Sequence, residues 1–176
     1  RLVSAAGQTS DAVKIGIVRR AVVGALEQGA ERVLLSSDTH QLAERAVEGI
    51  DGPIEFVESP LTGSPLDTIA AARSMWKEQA GAIVALGGDG TCRDVATGWP
   101  DAPLIAISTG TNNVFPTALD GTTAGVAAAL VATGLATPER YNHLSLNPAI
   151  CPYLAADFDP VELEALAVRW TESMRV

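Results

Sequence analysis

"IVALGGDGTCRDVATG", residues 83 to 98, runs from an apolar segment straight into Gly-Gly-Asp-Gly-Thr and then into helix-forming sequence. Ile83 to Leu86 are apolar without alternation, as in a strand buried on both faces. Gly87, Gly88 and Gly90 permit main-chain conformations that a side chain forbids, and they let phosphate oxygens approach backbone amides. Asp89 is expected in the middle of that turn, where a carboxylate either coordinates Mg²⁺ or accepts a proton from an attacking hydroxyl. Thr91 adds a hydroxyl at the start of the next helix, where the dipole favours an anion. The plain alternative is an ordinary strand-to-helix turn. At average residue usage an exact GGDGT arises by chance in a chain this long on the order of a few times in ten thousand, which favours the phosphate site.

The flanking sequence repeats the same alternation. "DAVKIGIVRRAVVGALEQ" (11 to 28) has helical spacing through Val13, Ile17, Ala21 and Ala25, and "ERVLLSS" (31 to 37) reads as a strand buried on both faces. A helix is expected over 39 to 49, a strand over 54 to 59, and a helix over 64 to 79 with Ser64 as N-cap and Pro65 at N1. After the central strand come a short helix "TCRDVATGW", a strand "PLIAIS" (103 to 108) and a helix over 122 to 134. Strict strand–helix alternation with short connections calls for an α/β fold with parallel strands and helices on both faces of the sheet. Ligands of such sheets lie beyond the carboxyl ends of the strands. The second loop, "ISTGTNNVFP" (107 to 116), also follows a strand, so the two loops are expected at one sheet edge as walls of one crevice. Thr109, Gly110 and Thr111 offer hydroxyls and a pliant backbone, and Asn112 and Asn113 offer amides towards ribose or phosphate. Read alone, the asparagines would simply suit a left-handed loop.

Composition narrows the partners. The 176 residues are 47% hydrophobic and 5% aromatic, enough for one well-buried domain with small aliphatic packing. A net charge of -9 without any basic run argues against nucleic acid or an anionic membrane as partner. An anionic small-molecule nucleotide must then be held by backbone amides and helix N-termini, with a divalent cation. A homo-oligomer is compatible with the sequence. Two cysteines, Cys92 and Cys151, give neither a disulfide framework nor metal-ligand spacing, so a reducing, cytoplasmic setting is the expectation. There is no signal-peptide pattern and no apolar run of membrane-spanning length. The first residue is Arg1, so sequence N-terminal to it is expected.

The nucleotide-binding domain is expected over 1 to 134. Residues 135 to 176 read as a connection and a C-terminal helix, Val161 to Met174, capped by Asp159, as part of an incomplete second domain. His40 and His143 lack partners at metal or triad spacing. Cys92, at a helix N-terminus, reads as a packed small side chain rather than a reactive thiol. Asp94 reads either as a metal ligand or as an exposed helix carboxylate, and Trp76, Trp99 and Trp170 as packing residues.

With both loops in place, the chain resembles the NAD kinase and diacylglycerol kinase superfamily over roughly Arg1 to Gly134. "STGTNNVFP" is similar to the second loop of the AcoX-like branch of the ATP-NAD kinases, named for acetoin catabolism. The resemblance implies a Rossmann-like three-layer parallel sheet with helices on both faces, of the NAD kinase nucleotide-domain type. It implies ATP with Mg²⁺ as phosphoryl donor and NAD as substrate. It also implies Asp89 as the catalytic carboxylate, Gly87, Gly88, Gly90 and Thr91 around phosphate, and Thr109, Gly110, Thr111, Asn112 and Asn113 across the crevice. Superfamily members usually open with a strand and an Asn-Pro loop, after which this chain begins, and classical NAD kinases continue into a β-rich domain with an Asn-Glu motif, whereas this chain has no Asn-Glu pair. The loop Gly110-Thr111-x-Asn113 is also similar to the GTxN pattern of the lipid-kinase branch. A lipid or alcohol kinase and a non-catalytic nucleotide-sensing module are therefore the alternatives. A dehydrogenase-type domain is disfavoured, since no G-x-G-x-x-G loop follows an early strand.

Overall fold

The computed structural model describes residues 9–110 and 113–137. Helix α1 (Asp11–Glu27) is followed by β1 (Val33–Ser36), α2 (Leu42–Val47), β2 (Ile54–Val57), α3 (Pro65–Lys77), β3 (Ile83–Gly87), α4 (Asp89–Gly98), β4 (Leu104–Ser108) and α5 (Gly121–Ala132). The alternation read from the sequence is thus present throughout the described part. The C-terminal helix expected over 161–174 lies outside the described residues.

Local chemistry sets the ends of the helices. Ser10 caps α1 by accepting the Val13 amide at 3.4 Å, and Ser64 caps α3 by accepting the Leu66 amide at 3.3 Å, with Pro65 at the first helical position. Asp120 caps α5 through the Thr122 amide at 2.8 Å. At its far end α1 closes in a Schellman turn: Gly29 takes a φ of +93°, and the Ala30 amide reaches back to the Ala25 carbonyl at 3.0 Å.

The strands pair in parallel as β1 with β2 and β3 with β4. Among the described residues they form two separate hydrogen-bonded pairs, where the sequence pattern led to one sheet. Strands of four and five residues give each pair only a short ladder. All four residues of β1 are half-buried, so the expected burial on both faces is incomplete there.

Two helix pairs flank the strands. α5 packs on β3 and β4 and against α1, while α4 packs on β3 and against α3. Both helix contacts are close because glycines stand at the crossing. A Cβ on Gly24 would lie 2.6 Å from the Thr122 carbonyl oxygen, and one on Gly125 would collide with the Ala21 carbonyl. Gly98 of α4 likewise meets the backbone of Ile69 in α3. The apolar core comprises Ala72, Ile83, Ala85 and Val95, with Met75, Trp99, Ala102 and Leu104 packed around it. Met75 takes the core position of the last turn of α3, which leaves Trp76 58% exposed. Trp76 is therefore a surface residue, contrary to the packing role expected of it. Trp99 does pack, and Trp170 lies outside the described residues.

Candidate functional site

The register of the central pair places both glycine-bearing loops at one edge. Gly87, the last residue of β3, stands beside Ser108, the last residue of β4. The Thr109 amide then donates to the Gly87 carbonyl at 3.2 Å, extending the pairing into the loops. The shared edge expected from the sequence is therefore present.

The first loop is shorter than expected. Gly88 is already the N-cap of α4, with extended backbone at φ -111° and ψ -170°, and Asp89 is the first helical residue rather than the centre of a turn. A carboxylate in the first helical turn is favoured by the dipole, which accounts for the early start. Gly87 and Gly88 are glycine for packing reasons internal to the protein. A Cβ on Gly87 would lie 2.6 Å from the Thr91 Cβ, and one on Gly88 would lie 2.8 Å from Asn113 Oδ1. Gly90 differs: nothing lies within 4 Å of where its Cβ would be, and its φ is not positive. Helix-interior glycine costs roughly 1 kcal/mol relative to alanine, so the fold itself gives no reason for glycine here.

The second loop leaves β4 at Ser108 and returns to it at Thr117, with the Ser108 amide donating to the Thr117 carbonyl at 2.8 Å and the Thr117 amide to the Ala106 carbonyl at 3.2 Å. Inside it, Asn113 Nδ2 donates to Ser108 Oγ at 2.7 Å, and Ser108 Oγ donates to the Gly110 carbonyl at 3.1 Å. Asp89 reaches across from α4. Its Oδ1 accepts the Phe115 amide at 2.9 Å, and its Oδ2 accepts the Val114 amide at 3.0 Å. From the residue before the α1 cap, Thr9 Oγ1 donates to the Thr109 carbonyl at 2.9 Å.

Gly87, Gly88, Asp89, Gly90, Thr91, Thr109, Gly110 and Asn113 are thus brought to one edge, as expected. Thr111, Asn112, His143 and Cys151 lie outside the described residues. His40 stands apart in an exposed pairing with Asp11, 3.3 Å from its carboxylate. Cys92 is buried in α4, and its thiol is pushed up to about 11 by burial and by the nearby Asp89 charge. That makes it a packed side chain rather than a nucleophile. Asp94 is buried, not exposed, with the Arg93 guanidinium 3.4 Å from its carboxylate. It shares a helix face with Gly98, four residues on, and that face packs on α3.

Sequence reasoning missed Thr9, Ser108 and the Val114 and Phe115 amides. Ser108 was within reach, since it ends the strand in the quoted motif. Thr9 and the two amides had no local signal, because their partners lie 100, 25 and 26 residues away. Among the described residues no group of three His, Cys, Asp or Glu side chains is placed to hold a metal ion. Mg²⁺ commonly takes one or two carboxylates and completes its shell with substrate phosphates and water. Asp89 beside the open space at Gly90 is compatible with that donor set.

A glycine-bearing strand-to-helix turn paired with a second polar loop on a parallel edge is an arrangement of nucleotide-binding α/β domains. Residues 11–135 match the ATP-NAD kinase N-terminal domain, and the chain belongs to that NAD kinase and AcoX-like family. It is 34% identical over 149 residues to Acetoin catabolism protein X of Cupriavidus necator, covering 80% of this chain. The aligned part spans 42% of that relative's length. No solved structure matches the chain. The family carries a Rossmann-like nucleotide-binding fold and a kinase-like role. Among the described residues no helix is long and apolar enough to cross a membrane.

Proposed function

We propose that the chain carries the nucleotide domain of an ATP-dependent kinase of the NAD kinase-like type, which moves the terminal phosphoryl group of ATP to a hydroxyl of NAD or a related small acceptor. The observation that carries this reading is Asp89. It stands at the start of α4, joined to the second loop through two amides and flanked by a glycine that packing does not require. The helix pairs α1/α5 and α3/α4 support a three-layer arrangement around the strands as part of the same proposal.

In this reading the α4 N-terminus and the backbone around Gly88 and Gly90 receive the phosphates, and Thr109, Gly110 and Asn113 face them from the second loop, whose sequence also carries Thr111 and Asn112. Mg²⁺, when bound, neutralises phosphate charge. The acceptor oxygen attacks the γ-phosphorus, the bond to the β–γ bridging oxygen breaks, and ADP leaves. Asp89 takes the acceptor's proton on a carboxylate oxygen lone pair that the Val114 and Phe115 amides do not use. The positive ends of those two amides face the carboxylate and fix its orientation. Acetoin catabolism, which the relative's name assigns to that protein, is part of the proposed setting here.

A second reading rests on the same contact. Both oxygens of Asp89 already serve the loop, as they would in a module that binds nucleotide without turnover, with Asp89 only a clasp. The test is transfer of labelled γ-phosphate from Mg²⁺-ATP to NAD, NADH and a panel of alcohols and lipids, with wild type beside Asp89→Asn. Labelled acceptor that disappears in the variant establishes the kinase, and the acceptor identifies the branch. Nucleotide binding without any labelled product establishes the module instead.

A further inference from the structure

Three consecutive peptide units at the start of the second loop are each held by a different anchor. The Ser108–Thr109 unit is held through the Thr109 amide, which donates to Gly87 at 3.2 Å. The Gly110 carbonyl, in the third unit, is held by Ser108 Oγ at 3.1 Å. Between them the Thr109–Gly110 unit is held from outside the loop, by the Thr9 hydroxyl at 2.9 Å. A trans peptide is planar, so its carbonyl and amide point in opposite directions. With the Thr109 oxygen turned to Thr9, the Gly110 N–H is turned away from Thr9.

A peptide unit next to a glycine has, on stereochemical grounds, a second orientation. Rotating it by half a turn would change ψ of Thr109 and φ of Gly110 by about 180° each, and would carry Gly110, which is not among the residues of positive φ, towards the positive region. Only glycine enters that region without steric cost. The chain therefore joins a peptide unit whose second residue is glycine to a distant hydroxyl that holds its carbonyl. We propose that Thr9 is a positioning residue of the nucleotide site, selecting the orientation of the Thr109–Gly110 peptide and so the direction in which the Gly110 N–H is offered to a phosphate oxygen. The consequence for binding rests on the nucleotide-site reading above; the peptide orientation does not.

The experiment compares wild-type full chain with Thr9→Val, which keeps the shape without the donor, and Thr9→Ser, which keeps the donor. Thr9 precedes the Ser10 cap and lies outside α1, so the fold is expected to survive, and Thr9→Ala provides the same loss of donor should valine pack badly. The readouts are the Gly110 amide resonance, the affinity for Mg²⁺-ATP by calorimetry and, where transfer is present, KM and kcat. Thr9→Val is expected to move the Gly110 resonance, weaken Mg²⁺-ATP about tenfold, and raise the KM for ATP more than it lowers kcat. Thr9→Ser is expected to stay close to wild type. In a Gly110→Ala background, where the flipped form is strained, Thr9→Val is expected to move the residue-110 amide resonance less than it does in the glycine background. An unmoved Gly110 resonance in Thr9→Val, or a serine variant as impaired as valine, overturns the proposal. Should wild type fail to bind Mg²⁺-ATP, the proposed function falls, and the Gly110 resonance alone then decides the role of Thr9.

Discussion

Asp67 and Asp89 both lie in the first turns of their helices, as the third residue of α3 and the first of α4, which follow β2 and β3, and each gathers main-chain amides. Asp67 closes its own turn: Thr62 Oγ1 donates to it at 2.6 Å, the Gly63 amide at 2.7 Å and the Thr62 amide at 2.9 Å. Asp89 accepts from residues 25 and 26 positions later, on another strand's loop. The chemistry is the same and the outcome differs. A carboxylate that binds locally shapes a helix end, whereas one that binds at long range joins two segments and stands where a ligand between them would meet it.

The largest expected effect divides the pair. Asp89→Ala should lower phosphoryl transfer by on the order of a thousandfold and raise amide exchange at Val114 and Phe115, while Asp67→Ala should leave transfer near wild type. Equal loss from both would end the distinction. Next come the glycines beside Asp89. Gly88→Ala pushes a Cβ against Asn113 Oδ1 and should destabilise the domain by about 1–3 kcal/mol in urea unfolding. Gly90→Ala should do the opposite, stabilising it by about 0.5–1 kcal/mol because nothing opposes the new methyl, while weakening Mg²⁺-ATP binding. A Gly90→Ala protein that is more stable and binds nucleotide unchanged would remove the argument for phosphate approach at that residue.

The smallest effect concerns pH. The Thr62 hydroxyl foremost, joined by the Thr62, Gly63 and Ser64 amides, holds the Asp67 carboxyl below its ordinary value of 3.8, against a desolvation that opposes it more strongly than any one amide favours it. A carboxyl lowered in the folded state contributes stability above its unfolded value, and that contribution is lost as pH falls through the folded one. The advantage of wild type over Asp67→Asn should therefore be present at pH 7, shrink below about pH 4 and be absent at still lower pH. Unfolding midpoints across that range would show it; an advantage that persisted in acid would mean that Asp67 acts through packing instead.

How much the sequence disclosed follows the same division between local and distant bonds. The order of elements, the Ser64 cap with Pro65, and the shared edge of the two loops were legible, because periodicity, capping chemistry and parallel topology are short-range rules. The start of α4 at Asp89 was misjudged by two residues, since glycines were read as loop although Gly88 serves as cap. Asp94 and Trp76 were misjudged by residue type. Asp94 is buried in α4 although its residue type suggested exposure, and Met75 takes the core position that the larger Trp76 was expected to fill. The bonds from Thr9 and to Val114 and Phe115 were illegible for a different reason: main-chain amides and carbonyls are present at every position, so a sequence does not mark which of them a distant side chain will find.

The close seating of α1 on α5 bears on how the protein is made. α1 is synthesised well before α5, yet the backbone that fits its Ala21 and Gly24 belongs to α5, and the Arg20–Asp120 ion pair between the two segments spans 100 positions. At ribosomal speeds of about 5–20 residues per second, the first helix waits roughly 5–20 s for its partner. Until then its Gly24 and Ala21 face has no partner, and α5, the last of the described helices in chain order, is the one that completes this packing.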